Sequence, residues 1–342
     1  MNIVYYCSDS FSEICGVAVQ SLVENNTDSD EITIYIVEDK ISETNKNRLR
    51  GIVDKYNRNL VFIRMPSQEE LYPDVKMNLG HTYARMALGE ILPDNVDRVL
   101  SLDSDTLVLD SIKAMYNTKF SEDEFVAGVL DCVGDAIQTK VLHAPKTMKY
   151  CNAGMFLIDL KKWRELKAGE QLLDVVTHQA DGKKLMYFLE QDLMNWVFDG
   201  HIKVLHPRYN LLTSIAKFEY KEIIRMKHPT TYYSAKSVAE AKKKPAIIHA
   251  TTCFYIKRRM WVENSDHPMA EKYIEYRNKT PWKNEPRIKD TRPANKKIYG
   301  GVWHCMPRSC AVWSASFMIN CVRPVYAWAT TKASISTIAT QS

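Results

Sequence analysis

Asp103 and Asp105, one residue apart in Leu102-Asp103-Ser104-Asp105-Thr106, are paired carboxylates set in apolar sequence. The apolar run 99–102 feeds into them and the run 107–109 leads out. Two acids at this spacing supply hard oxygen ligands suited to Mg²⁺ or Mn²⁺, ions that bridge to phosphate oxygens. About one Asp-x-Asp is expected by chance in a chain of this length, so the triplet needs context. The chain carries its own control: Asp28-Ser29-Asp30 repeats the triplet inside the polar run 25–31, and reads as a loop with solvated acids. Only at 103–105 would unpaired carboxylates be costly, because their neighbours are apolar. The competing reading there is a strand-end turn whose acids cap backbone N–H groups.

The elements that must hold these acids follow from the flanking pattern. Short Val- and Leu-rich runs read as buried strands, and acids at the end of such a strand lie where open α/β sheets bind ligands. Strands are expected at 3–6, 32–37, 60–63 and 99–102, with helices at 14–23, 42–56 and 81–92 between them. This alternation predicts a mostly parallel sheet covered by helices on both faces. The second half adds a strand at 125–130 ending at Asp131, and a small-residue turn at Asn152-Ala153-Gly154 before another apolar strand. Helices at 161–177 and 190–197, a run 202–205 leading to Asn210, and a short buried strand 246–250 carrying His249 complete it. No G-x-G-x-x-G follows the first strand and no Walker A lysine loop is present, which disfavours dinucleotide and P-loop chemistry. A phosphate held through a metal fits better.

At 342 residues the chain suits one large α/β domain with an appendage. Its eight cysteines are scattered singly, without C-x-x-C or zinc spacing, and the start Met1-Asn2-Ile3-Val4 lacks a basic and apolar leader. Both features point to a reducing cytoplasmic setting. The net charge of +5 resides in residues 281–342, with nine Lys and Arg against two Asp and Glu. The domains expected are therefore a body, 1–282, and a basic, aromatic extension, 283–342, beginning with a linker at 283–297. Arg308 and Arg323 bracket 14 uncharged residues, short of the roughly 18 that a spanning helix needs. Trp303, Trp313, Phe317 and Tyr326 beside cations suit a segment lying on the anionic inner leaflet, against the alternative of helices packed on the body. Residues 330–342 are polar and expected to be disordered. No nucleic-acid motif is present, and oligomeric state is left open.

Taken together, Tyr83-Ala84-Arg85, Asp103-Ser104-Asp105, Asn152-Ala153-Gly154, Gln191-Asp192, His249, Arg259-Met260-Trp261 and Thr280-Pro281-Trp282 form an ordered set. In these motifs the chain resembles glycosyltransferase family 8, which includes glycogenin and bacterial lipooligosaccharide galactosyltransferases. The resemblance implies a GT-A fold and retaining transfer of a hexose, glucose or galactose, from a UDP-sugar to a glycan or lipid-linked glycan acceptor. It implies Mn²⁺ as the ion, with Mg²⁺ the other candidate, held by Asp103, Asp105 and His249. It implies Arg85 near the donor, with Ser104 beside the metal pair and Asn152, Ala153 and Gly154 lining the sugar. Gln191 would steady the sugar face opposite the leaving group, with Asp192 beside it and Asp131 accepting a sugar hydroxyl. Ser8 and Asp9 would meet the uridine and ribose, and Asn210 the acceptor. Arg259 stands where the family usually has lysine, and Lys257 and Arg258 compete with it for the phosphates. That departure motivates the alternative of a nucleotide-sugar-binding protein without turnover.

Overall fold

A computed structural model describes residues 1–74, 83–179 and 190–326. Ten strands are present among them: β1 (Asn2–Ser8), β2 (Thr33–Asp39), β3 (Asn59–Arg64), β4 (Arg98–Leu102), β5 (Thr106–Val108), β6 (Val126–Leu130), β7 (Cys151–Asp159), β8 (Ile202–Val204), β9 (Leu211–Leu212) and β10 (Ile247–His249). Seven build one sheet in the order β3-β2-β1-β4-β7-β6-β8. All its pairings are parallel except those of β7, which runs antiparallel to β4 and β6. Ile3, Val4 and Tyr5 of β1 are fully buried in succession, as expected for an interior strand covered on both faces.

The second apolar run does not rejoin this sheet. It becomes β5, which pairs antiparallel with β10 in a small sheet of order β5-β10-β9. Asp103 to Asp105 are thus the crossing between two sheets. The turn expected at Asn152-Ala153-Gly154 is not one: these residues lie inside β7. The irregularity falls on the same stretch: between the Gly128–Phe156 and Leu130–Cys151 pairs β6 advances two residues and β7 five, so Asn152 to Gly154 lie in the unpaired excess of β7.

Two expected helices are broken. The one expected over 81–92 is a pair, Tyr83–Met86 and Leu88–Ile91, meeting at Ala87, and residues 81 and 82 lie outside the described range. The one over 161–177 is Leu160–Glu165 followed by Ala168–Gln179, interrupted where Lys167 adopts a left-handed φ of 51°. The restart brings Gly169 against the Met86 carbonyl, which a Cβ would meet at 2.6 Å. Local periodicity continued across both breaks; tertiary contact overrode it.

The Ser12–Glu24 helix is the central support under β1, buried at Ile14, Cys15, Val17, Val19, Leu22 and Val23. A Cβ on Gly16 would lie 2.4 Å from the Trp282 ring, so Thr280-Pro281-Trp282 locks the end of the body onto this helix. The ion pair of Arg277 with Glu13, 2.7 Å, joins the same two segments.

The C-terminal extension packs on the body through the helices Ala294–Cys305 and Arg308–Phe317 and a π-helical turn, Met318–Val322. Trp303, expected at a membrane surface, is instead buried edge-on against Phe254 at 4.9 Å. Ala311, Val312, Ala315 and Ile319 are buried too, and all but Ile319 belong to one core with Phe218, Ile223 and Met226. The stretch expected as a linker is tied down by an Arg48–Glu285 ion pair and a bridge from Val262 to Ile288. Trp313 and Phe317 remain 61% and 53% exposed and stack on each other. Among the described residues no helix is long and apolar enough to cross a membrane.

Replacing Gly16 with alanine should cost about 1–3 kcal/mol through overpacking against Trp282, read as a lowered denaturation midpoint. Gly51→Ala, with nothing within 4 Å of its Cβ, should instead stabilise its helix by roughly 0.5–1 kcal/mol. Equal effects would contradict the assigned contact.

Candidate active site

The carboxyl ends of β1, β4 and β6 and the start of β7 meet at one edge of the large sheet, the edge where such folds bind ligands. Asp103 follows β4, Asp131 follows β6, and Asn152 to Gly154 open β7. β10 comes alongside in the small sheet, and its register sets His249 opposite Thr106, next to Asp105.

His249 Nε2 lies 3.1 Å from an Asp105 oxygen and 3.5 Å from Asp103. Its other nitrogen, Nδ1, is 3.1 Å from Asn152 Oδ1. That oxygen also accepts from the Gly154 N–H at 3.0 Å. The Gly154 N–H only donates, so the atom it meets is the amide oxygen, and the imidazole proton must sit on Nδ1. Nε2 is then the nitrogen aimed at two carboxylates. A bare lone pair there would be repelled, so the arrangement asks for a positive charge. Without a metal a second proton supplies it: burial alone would lower the His249 pKa, but Asp105 and Asp103 raise it above the ordinary imidazole value. Burial likewise would raise Asp105, yet His249 and Arg259 hold it below the usual carboxylate range. One imidazole and two carboxylates, with ligand atoms within 4.8 Å of one another, form a donor set able to hold a divalent metal ion. The Nδ1–amide contact is the outer support such a ligand needs.

Gly154 is where the imidazole comes closest to the β7 backbone. A Cβ there would lie 2.1 Å from His249 Cε1 and 2.2 Å from Nδ1. Its missing side chain makes room for the imidazole. Ser104 likewise turns inward, its hydroxyl donating to the Tyr6 carbonyl at 2.8 Å, and so fixes the crossing loop to β1.

Arg85, 4% exposed, reaches Asp103 at 2.9 Å and Glu190 at 2.6 Å, and donates to the Ala153 carbonyl. Its guanidinium lies over the Tyr6 ring. The Glu190 pKa is pushed up to about 7, first by burial and further by Asp103, against the pull of Arg85. Arg259 Nη1 is 3.2 Å from the outer oxygen of Asp105, with its guanidinium over Trp261. Arg258 turns away, to the Asn264 carbonyl and Asp290, and for Lys257 the contact seen is a backbone one, to Asp266. Of the three cations, Arg259 is therefore the one at the acid pair.

Gln191 centres an amide cluster beside the acids. Its carbonyl accepts from Asn152 Nδ2 at 2.9 Å and from the Ala153 N–H at 3.0 Å, and its amide nitrogen donates to Asp131 at 3.2 Å. Asp131 also accepts from Asn152. Asp192, expected beside the donor, is fully buried and accepts from the Tyr150 hydroxyl. Successive helix residues diverge by about 100°, so within Glu190–Val197 one faces Arg85, the next the cleft and the third the core. Asn210 is also corrected: it is buried, donating to Asn152 at 3.0 Å, not on an open acceptor face. Asp9, exposed at the end of β1, accepts from the Ser42 N–H at 2.8 Å and the Asn45 side-chain amide at 2.9 Å, bracing the start of the Glu43–Val53 helix that Ser42 caps. Ser8 ends β1 with its hydroxyl 3.3 Å from that of Ser10.

Four contributors carry no motif of their own in the sequence: Tyr6, the pairing of Glu190, Thr213, and Asn195. Thr213 donates to the His249 carbonyl at 3.2 Å. Asn195 clamps both backbone groups of Cys151, at 2.6 and 2.7 Å. Asn195 had a usable signal, since it lies one helical turn after Gln191.

The sequence model described as Glycosyl transferase family 8 matches residues 2–253. General stress protein A of Bacillus subtilis strain 168 is 24% identical over 82% of this chain and 94% of its own length. A lipopolysaccharide 1,2-glucosyltransferase of Escherichia coli is 23% identical over 86% of this chain and 83% of its own. A crystal structure of the galactosyltransferase LgtC with donor and acceptor sugar analogs superposes with a TM-score of 0.66 at 23% identity, covering 87% of this chain and 100% of that one. That likeness shows a common GT-A type fold.

Gly154→Ala should displace His249 and weaken Mn²⁺ binding by at least about 10–100-fold, measured by titration of the purified protein. Glu190 generates a pH test in metal-free protein. The folded form keeps a proton between pH 4.5 and about 7 that the unfolded chain has released, so stability falls as pH rises through that window. The Glu190 side chain retains 22% exposure, so screening limits the effect to the order of 1 kcal/mol. Glu190→Gln should remove this slope in denaturation curves; an unchanged slope would assign it elsewhere.

Proposed function

Because this chain belongs to glycosyl transferase family 8, we propose that it transfers glucose or galactose from a UDP-sugar to a glycan acceptor, with retention at the anomeric carbon and with Mn²⁺. The observation that carries this reading is the meeting of Asp103, Asp105 and His249 beside the Gln191 amide cluster. A divalent ion at the three ligands would supply positive charge against the UDP diphosphate as its bond to the sugar breaks. Arg259, partly exposed at the outer face of Asp105, is the cation able to turn to a phosphate oxygen as that charge develops. Arg85 is buried between Asp103 and Glu190 and acts by holding the Asp103 carboxylate in orientation.

Gln191 bears on the stereochemistry. A double displacement uses a carboxylate nucleophile on the sugar face opposite the leaving group. Gln191 is an amide, Asp192 points into the core, and Glu190 is paired with Arg85. This favours same-face transfer, with Gln191 steadying the sugar and Asp131 accepting a hydrogen bond from one of its hydroxyls. The kinship with lipopolysaccharide glucosyl- and galactosyltransferases supports an acceptor in bacterial lipopolysaccharide or another surface glycan, reached in the cytoplasm. The exposed Trp313–Phe317 stack on a basic extension supports attachment to the anionic inner leaflet.

UDP release from UDP-glucose or UDP-galactose should stop on adding EDTA and return with Mn²⁺. Asp105→Asn should lower it by at least about 100-fold, since losing even an outer-shell partner costs roughly 10–100-fold; full turnover by this variant would overturn the reading. Trp313→Ser with Phe317→Ser should weaken sedimentation with anionic vesicles while leaving UDP release in solution intact.

A further inference from the structure

A cavity of about 460 Å³ adjoins the amide cluster. Asp131, Asn152 and Gln191 form part of its wall, but none of Asp103, Asp105 and His249 does. It therefore opens beside the sugar position, where the body of an acceptor can sit while its attacking hydroxyl reaches the sugar on the leaving-group face that retention requires. Lys227 and Arg323 also line it, together with Ile319. Asp131 is the sole carboxylate on the described wall, and its contacts are to the two amides. Neither Lys227 nor Arg323 has a carboxylate partner among the described residues. Two uncompensated cations in a concave site attract an anionic ligand group.

Ile319 and Arg323 belong to the C-terminal extension, and the packing there fixes where they stand. Asn320 donates to the Met226 carbonyl at 2.9 Å, and Ser316 meets His228 at 3.2 Å. Arg308 grips Glu222 with two bonds, 2.7 and 2.6 Å. Gly134 is pressed so closely into this junction that a Cβ would lie 2.3 Å from the Lys227 carbonyl and 3.1 Å from Asn320 Oδ1. The loop after β6, the Tyr220–Lys227 helix and the extension thus meet as one wall.

We propose that the C-terminal extension completes the acceptor site, and that Lys227 and Arg323 select an acceptor carrying a phosphate or carboxylate group beside the sugar that receives the hexose. The inference rests on the transferase reading for the identity of the cavity as an acceptor site. With UDP and Mn²⁺ saturating, so that the donor side is filled, glucose 6-phosphate, glucuronate, glucose and inorganic phosphate are titrated in turn by calorimetry. At least one of the two anionic sugars should bind about tenfold or more tightly than glucose, and inorganic phosphate more weakly than that sugar. Lys227→Met with Arg323→Met should abolish the preference, and Asn320→Ala, which frees the segment bearing Arg323, should reduce it. UDP affinity measured in parallel reports that each variant is folded. Equal affinity for charged and neutral sugars, absence of binding by both anionic sugars at millimolar concentration, phosphate binding as tightly as the sugars, or a preference surviving the double substitution would each overturn the proposal. Mn²⁺-dependent UDP-sugar hydrolysis by the unaltered protein is read separately: its absence removes the transferase reading and leaves the anion preference measurable.

Discussion

Two carboxylates and an imidazole nitrogen converge within 4.8 Å of one another, and that electrostatic demand organises the groups around them. The arrangement is stable only with positive charge among the three groups. Each neighbouring feature serves that demand. The Asn152 oxygen, fixed by the Gly154 N–H, turns Nε2 of His249 toward the acids. The absent Gly154 side chain leaves room for the ring. Arg85 and Arg259 neutralise the outer carboxylate oxygens from opposite sides of the pair. The crossing from β4 to β5 is what lets one loop face both sheets.

Asn152 links this centre to the cluster of Gln191 and Asp131. Its oxygen serves His249 and its nitrogen serves Gln191 and Asp131. Each such bond is worth only about 1 kcal/mol net, but a shared amide makes the positions of the acid–imidazole group and the Gln191–Asp131 group interdependent. Ala153 repeats the link through its backbone, donating to Gln191 and accepting from Arg85. That explains why three small residues at the start of β7 need no side-chain chemistry of their own beyond the amide.

The C-terminal extension divides its residues between two environments. Trp303, Val312 and Ile319 are buried on the body, while Trp313, Phe317 and Val325 face outward. A helix that only covered the body would carry polar residues on its outer face; this one keeps a stacked aromatic pair there. One element can therefore serve a surface outside the protein and a wall inside the cleft at once.

Sequence alone determined the strands, because continuous Val, Leu and Ile runs have no other low-energy place than a covered sheet, and it separated the acids at 103–105 from those at 28–30 by their apolar surroundings. It also determined the family, through the order of motifs spread along the body. It was silent where a residue's role depends on what arrives from elsewhere in the chain. Asp192 and Asn210 have the right chemistry for a ligand, yet each is committed to a tyrosine or an amide brought in by folding. The direction of β7, the breaks at Ala87 and Lys167, and the burial of Trp303 were likewise decided by packing between segments far apart in the chain. Periodicity records which face of an element is apolar; only the tertiary structure decides which partner meets that face, and therefore which of three consecutive acids and amides at 190–192 looks into the cleft.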